Sequence, residues 1–148
     1  VLVVVYSATG KVLLLKRADR PDFWQSVTGS LSWEETAPRD AAVRELHEET
    51  GLAVDPGQLC DRARPYRYEI PPAWRHRYVP GITQNTEHVF TLELPGETAL
   101  TIHPAEHVAY GWFSFGEAAA KTASWTNREV IEELAKARRE HGSDGTGF

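Results

Sequence analysis

The run Arg44-Glu45-Leu46-His47-Glu48-Glu49-Thr50-Gly51-Leu52 constrains this chain more than any other, placing three carboxylates and an arginine within six residues. The spacing predicts a helix. Residues four apart lie on one helix face about one turn apart, so Glu45 and Glu49 project together, with Glu48 beside them and Leu46 turned to a core. Carboxylates this close repel one another and weaken their helix unless they share a cation or sit in water. Taken alone, the cluster more often marks a solvated acidic face than a metal-binding one. Pro38 is tolerated in a first helical turn and Gly51 suits a C-cap, which bounds a helix over 38–50. Ala42, Val43 and Leu46 are its expected buried side, with Arg39 and Asp40 exposed. Hard divalent ions such as Mg2+ take oxygen ligands and keep waters, leaving room for substrate phosphates.

The remaining bounds are those of an ordinary globular chain. At 148 residues, 41% hydrophobic and 25% charged, one domain over residues 1–141 is expected, with 142–148 (GSDGTGF preceding the end) as a flexible tail. No apolar run approaches about 18 residues, so no membrane span is expected. The start, VLVVVY, lacks a methionine and reads as trimmed; no signal peptide is visible. The single cysteine, Cys60, excludes an internal disulfide and fits a reducing cytoplasm, where it reads as an inert, partly buried residue. A net charge of −5 argues against nucleic-acid or membrane partners. A polyanionic small molecule would be met by local positive charge and metal.

Taken in order, Val1 to Tyr6 and Val12 to Arg17 read as paired strands around the turn Ser7-Ala8-Thr9-Gly10. Arg17 is either a solvated strand end or a bidentate phosphate donor. Trp24 to Leu31 reads as strand, then glycine break; Trp24 suits packing more than base stacking. Gly29 suits a close backbone approach, and Thr28 beside it can donate to a phosphate. Leu59 to Ile70 ends in strand-like alternation. Between Arg62 and Arg77 stand five arginines and His76 against one acid, Glu69. That stretch is either a solvated face or a basic wall beside a triphosphate. Thr86 to Leu94 alternates as a strand should, and His107 to Phe113 follows Glu106 as another. Glu106 is a solvated acid or a further ligand or base. Helices are expected over 115–121 and 127–141, the second amphipathic through Val130 and Leu134.

The frame around the glutamates resembles the Nudix box, G-x5-E-x7-R-E-U-x-E-E-x-G-U with U apolar. Gly29, Glu35, Arg44, Glu45, Leu46, Glu48, Glu49, Gly51 and Leu52 fill all nine specified places, with one extra residue between Glu35 and Arg44. Further segments, PDFWQSVTGS (21–30), RHRYVPGITQNTE (75–87), EHVAYGWF (106–113) and SWTNREVIE (124–132), resemble one Nudix branch, the dihydroneopterin triphosphate pyrophosphohydrolases of bacterial folate synthesis. The resemblance implies an α/β class and the Nudix fold, an α/β/α sandwich with a mixed sheet between helices.

Position by position, the resemblance implies metal ligands at Glu45, Glu49 and Glu106, and a catalytic role for Glu48 or Glu106 as general base with Arg44 orienting the carboxylates. It implies substrate contacts at Arg17, Thr28, Tyr68, Glu69, Ile70, Pro71 and Ser124. The expected cofactor is Mg2+, with Mn2+ as a substitute. The expected reaction is metal-dependent hydrolysis of dihydroneopterin triphosphate to the monophosphate and pyrophosphate. Alternatives are a pyrophosphohydrolase of nucleoside triphosphates or oxidised nucleotides, since pterin and purine rings share size and hydrogen-bonding edges, and a degenerate ligand-sensing module.

Overall fold

A computed structural model of the chain describes residues 1–20, 22–31, 37–62, 66–69, 84–122 and 124–143, with side chains for all of these but 66–69, 84–85 and 141–143. Two strands form its centre, β1 (Leu2–Ser7) and β2 (Lys11–Arg17). Strand alternation sends Val3, Val5, Leu13 and Leu15 to one face and Leu2, Val4, Val12 and Leu14 to the other. Both faces are covered, which is why these runs are apolar throughout rather than alternating with polar residues. On the first face lie Ala41, Ala42 and Leu46 of helix α1 (Pro38–Thr50). On the second lie Ala118 and Ala119 of α2 (Phe115–Lys121), and Val130, Ile131 and Leu134 of α3 (Trp125–Ser143). Leu13 and Leu14 are at most 1% exposed, and full burial of such a side chain contributes roughly 1.5–3 kcal/mol. The layers are helix, sheet, helices, as expected.

What opens a site is the way β1 and β2 part. Gly10 at φ +100° turns the chain between them, and they pair at Tyr6↔Val12. Farther along, β3 (Trp24–Gln25) pairs with β2 at Leu15↔Gln25, while β4 (Val27–Thr28) pairs with β1 at Leu2↔Thr28. The segment WQSVT is thus a wedge between two diverging strands. The other edge of β1 pairs in parallel with β8 (Val89–Leu94), from Leu2↔Val89 to Ser7↔Leu94, which makes the sheet mixed. β9 (His107–Ser114) runs antiparallel to β2 with a register shift between Lys16 and Arg17. β5 (Cys60–Asp61) pairs with β8, and β6 (Tyr66–Glu69) with β7 (Gln84–Glu87) makes a separate two-stranded ladder.

Several expectations change in three dimensions. Thr86 to Leu94 is not one strand: the chain leaves the small ladder at Glu87 and joins the large sheet at Val89, and the intervening His88 carbonyl accepts the Leu2 amide at 2.8 Å. The stretch from Leu59 likewise divides into β5 and β6, with Ile70 outside the described residues. Arg39 is half-buried, not exposed, because its Nη1 donates to the Pro56 and Leu59 carbonyls at 2.7 and 2.6 Å and its guanidinium lies over Phe90. Cys60 is exposed rather than partly buried, since β5 is a short edge strand. α3 starts two residues earlier than expected and continues to Ser143, into the segment expected to fray. Of the basic stretch from Arg62 to Arg77, residues 63–65 and 70–77 lie outside the described residues, as does box residue Glu35. Among the described residues no helix is long and apolar enough to cross a membrane.

Candidate active site

Helix α1 carries the box as its spacing predicts. Ala37 supplies no side-chain cap, so the fixed φ of Pro38 starts the helix, and Gly51 ends it at φ +78° with its amide donating to the His47 carbonyl. Only glycine adopts that left-handed turn cheaply. The three glutamates then meet different surroundings. Glu48 is 48% exposed, Glu45 13% and Glu49 2%. Arg44 binds two of them, its Nη1 lying 2.7 Å from Glu45 Oε1 and 3.3 Å from Glu48 Oε2, while Nη2 donates to the Ser30 carbonyl at 2.7 Å. Glu45 lies against Gly29, where a Cβ would collide with its carboxylate. A side chain at Gly29 would therefore push the Glu45 carboxylate aside.

Glu49 points inward to a cavity of about 320 Å³ at the open end of the β1–β2 splay. Arg17, Asp19, Gln25, Thr28, Glu49, Glu106 and His107 line it together with Ala105. Neither oxygen of Glu49 has a hydrogen-bond partner. Burial, with Glu45 and then Glu106 nearby, pushes its carboxyl up to about 10. A buried carboxylate without donors is costly, and a cation is the partner that removes the cost. The donor set fits one: Glu49, Glu106 and His107 each offer a ligand atom, all within 4.8 Å of one another. This trio differs from the expected Glu45, Glu49 and Glu106. Glu45 stays near enough to raise the Glu49 carboxyl, but it is engaged by Arg44.

Backbone contacts hold the far wall. The Glu106 carbonyl accepts the Ala18 amide at 2.9 Å, and its own amide donates to the His103 carbonyl at 3.0 Å. Arg17 reaches the cavity with its fork occupied, Nε and Nη2 donating to Asp19 Oδ1 and Oδ2 at 2.7 Å each. That pairing lowers the Asp19 carboxyl to about 2. Burial, with Arg17 next, lowers the His107 imidazole to about 4, so it is neutral at physiological pH.

Of the residues picked from sequence, the cavity gathers Arg17, Thr28, Glu49 and Glu106. Arg44, Glu45 and Glu48 form its charged neighbour on α1. Ser124 is elsewhere, bonded to Thr126 Oγ1 at 2.9 Å beside the start of α3. Tyr68 and Glu69 lie on β6, of which only the backbone is described, and Ile70 and Pro71 are outside the described residues. Sequence reading missed Asp19, Gln25 and His107. The one signal for His107 was its place directly after Glu106; Gln25 and Asp19 offered none, because the splay and the loop contact that bring them in are tertiary.

Comparison with known proteins agrees with this geometry. Residues 1–134 match the NUDIX domain model. The chain is 49% identical over 137 residues to the dihydroneopterin triphosphate diphosphatase of Escherichia coli strain K12, covering 90% of this chain and 89% of that one. It is 40% identical over 136 residues to the Haemophilus influenzae enzyme of the same name, covering 90% and 84%. The solved E. coli dihydroneopterin triphosphate pyrophosphohydrolase superposes with a TM-score of 0.80 at 50% identity, covering 89% and 90%. A helix of box glutamates, a splayed mixed sheet opening beside it and these matches have one reading: the chain belongs to the Nudix family.

Proposed function

We propose that this Nudix hydrolase is a Mg2+-dependent pyrophosphohydrolase converting dihydroneopterin triphosphate to dihydroneopterin monophosphate and pyrophosphate, in the cytoplasm and as a step of folate synthesis. The observation that carries the chemistry is Glu49, a buried carboxylate with both oxygens unpartnered at a polar cavity. The substrate follows from the 49% identity to an enzyme of that name over nearly the whole chain. Residues 1–141 act as one domain.

When bound, Mg2+, or Mn2+ in its place, supplies charge neutralisation for the triphosphate and acidifies a water. Glu49 and Glu106 would hold it, with Glu45 as a third ligand. Arg44 spaces Glu45 and Glu48 and ties both to the loop at Ser30. Glu106 or Glu48 takes the proton of the attacking water; Glu106 is the better placed, because it lines the cavity and Glu48 does not. Arg17 and Thr28 face the same space and suit phosphate oxygens, as a cation and a hydroxyl donor. Ser124 and the segment from Tyr68 to Pro71 are assigned to the remainder of the substrate. Positioning and charge neutralisation of this kind are what phosphoryl transfer chiefly needs.

The test is pyrophosphate release with Mg2+ from dihydroneopterin triphosphate, dATP, dGTP and 8-oxo-dGTP. The expected result is a kcat/KM at least roughly tenfold higher for the pterin, about 1.4 kcal/mol of discrimination. A nucleotide preference of that size would keep the chemistry and overturn the substrate.

A further inference from the structure

The start of α3 carries a chain of side-chain hydrogen bonds whose direction is fixed. Thr126 Oγ1 donates to Glu87 Oε1 at 2.6 Å, and Ser124 Oγ lies 2.9 Å from Thr126 Oγ1. A carboxylate only accepts and a hydroxyl has a single hydrogen, so Thr126 spends its hydrogen on Glu87. The hydrogen between Ser124 and Thr126 is therefore the serine's. Ser124 Oγ also accepts the Asn127 amide at 3.3 Å. Its donor and one lone pair are committed, and what it has left is its other lone pair. Thr126 is 1% exposed, whereas Ser124 and Glu87 are half-buried. These side chains thus offer a ligand acceptors and no donor.

The chain of bonds stands at the end of the sheet where the cavity opens. Thr28, which lines the cavity, pairs with Leu2, and the Leu2 amide donates to the His88 carbonyl. Glu87 directly precedes His88, two strand spacings or roughly 10 Å from Thr28. The start of α3 is tied to the same wedge, since Asn127 Oδ1 accepts the Ser26 amide at 2.9 Å. A ring joined to its phosphates by a short carbon chain spans a gap of that size. With the phosphates at Arg17 and Thr28, the group that comes to Ser124 is the end of the ring farthest from them.

We propose that Ser124 reads the exocyclic amino group of the substrate's ring, and that Glu87 is the positioning residue behind it. By holding the Thr126 hydrogen, Glu87 turns Ser124 into a pure acceptor. The inference rests on the placing of Ser124 at the ring end of the substrate. It goes beyond that placing by naming the group that is read and the residue that sets the polarity. In a pterin the 2-amino group lies at the end of the ring system opposite the side chain that carries the phosphates. Guanine carries the same group, and hypoxanthine lacks it. A site built to pair such a donor rejects the analogue without it, because its acceptor is then desolvated with no partner.

The experiment uses the full chain with Mg2+ and compares kcat/KM within two pairs: dihydroneopterin triphosphate against its 2-deamino analogue, and dGTP against dITP. Wild type should favour the amino-bearing member of each pair by roughly tenfold or more. Ser124→Ala should bring both ratios below about threefold, since the acceptor is gone. Thr126→Val and Glu87→Ala should do the same, because each leaves the Ser124 hydrogen uncommitted and free to point outward. Glu87→Gln should keep the wild-type ratios, because its amide oxygen still accepts from Thr126. Each ratio cancels the amount of folded enzyme. A merely structural role for Glu87 would therefore lower every substrate alike and leave the ratios where they were. Equal kcat/KM within the pairs for wild type, or wild-type ratios in Thr126→Val, overturn the inference and leave the pterin function standing. A nucleotide preference with dGTP still well above dITP overturns the pterin substrate and leaves the inference standing.

Discussion

Two buried polar clusters hang from the wedge between β1 and β2, and they differ in how well they are satisfied. Toward α3, Asn127 Oδ1 accepts the Ser26 amide at 2.9 Å and the Thr122 hydroxyl at 3.0 Å, while its Nδ2 donates to Ser26 Oγ at 2.9 Å. Toward α1, Glu49 has both oxygens unpartnered and His107 has Nδ1 unpartnered. All five residues are buried to 5% exposure or less. Burial is thus equal, and satisfaction is what separates a clasp from a site. A closed network fixes the wedge on α3 and leaves nothing to bind. An open one stores a deficit that a ligand can relieve.

The largest effect expected on this contrast is at Glu49. Glu49→Gln should lower kcat/KM by roughly 10³-fold or more, as loss of a main charge-stabilising group does. It should leave the fold intact, because the amide removes a carboxyl that burial penalises when charged. The sign of the pH dependence follows from the same group. Its carboxyl moves from 4.5 in the unfolded chain to about 10 in the folded one. Between those values the folded chain holds a proton that the unfolded chain has released, so metal-free stability falls as pH rises. Melts in EDTA at pH 7 and pH 9 should show a fall for wild type that is smaller in Glu49→Gln; identical slopes would place the charge elsewhere.

Breaking the closed cluster should give the opposite pattern. Asn127→Ala leaves the Ser26 amide and the Thr122 hydroxyl without their partner, at a cost of roughly 2–4 kcal/mol. Urea unfolding measures this directly, and metal affinity of the folded fraction should be unchanged. A drop in Mn2+ affinity matching the stability loss would mean that the two clusters are one cooperative unit. The smallest effect belongs to the cavity rim. Asp19→Asn removes half of an exposed ion pair, so stability should change by less than about 1 kcal/mol. Freed from its carboxylate, Arg17 should bind triphosphate with a KM altered only a few-fold at unchanged kcat, read by steady-state kinetics.

How much of this was legible beforehand depends on the range of the interactions. The bounds of α1, the apolar strands β1 and β2 and the placing of Glu45, Glu48 and Glu49 on one helix are local facts of spacing and capping, and they read correctly from residues alone. The division at His88 was not legible, because TEHVFTLEL alternates without a break and only pairing partners separate it into two sheets. Arg39 was misjudged for a similar reason: its acceptors are 17 and 20 residues away.

By itself, then, the amino-acid order determined the glutamate helix and the central strands, since helix period, strand alternation and glycine geometry act over a few residues, and it carried the layered architecture only through its resemblance to a known family. Only the tertiary structure decided which glutamate is orphaned and which is paired. On one helix face Glu45 meets Arg44 and Gly29, while Glu49, one turn away, meets a cavity walled by Glu106 and His107 from 57 and 58 residues later in the chain. Desolvation depends on what the rest of the chain packs around a group, and that is not written in the group's own neighbourhood.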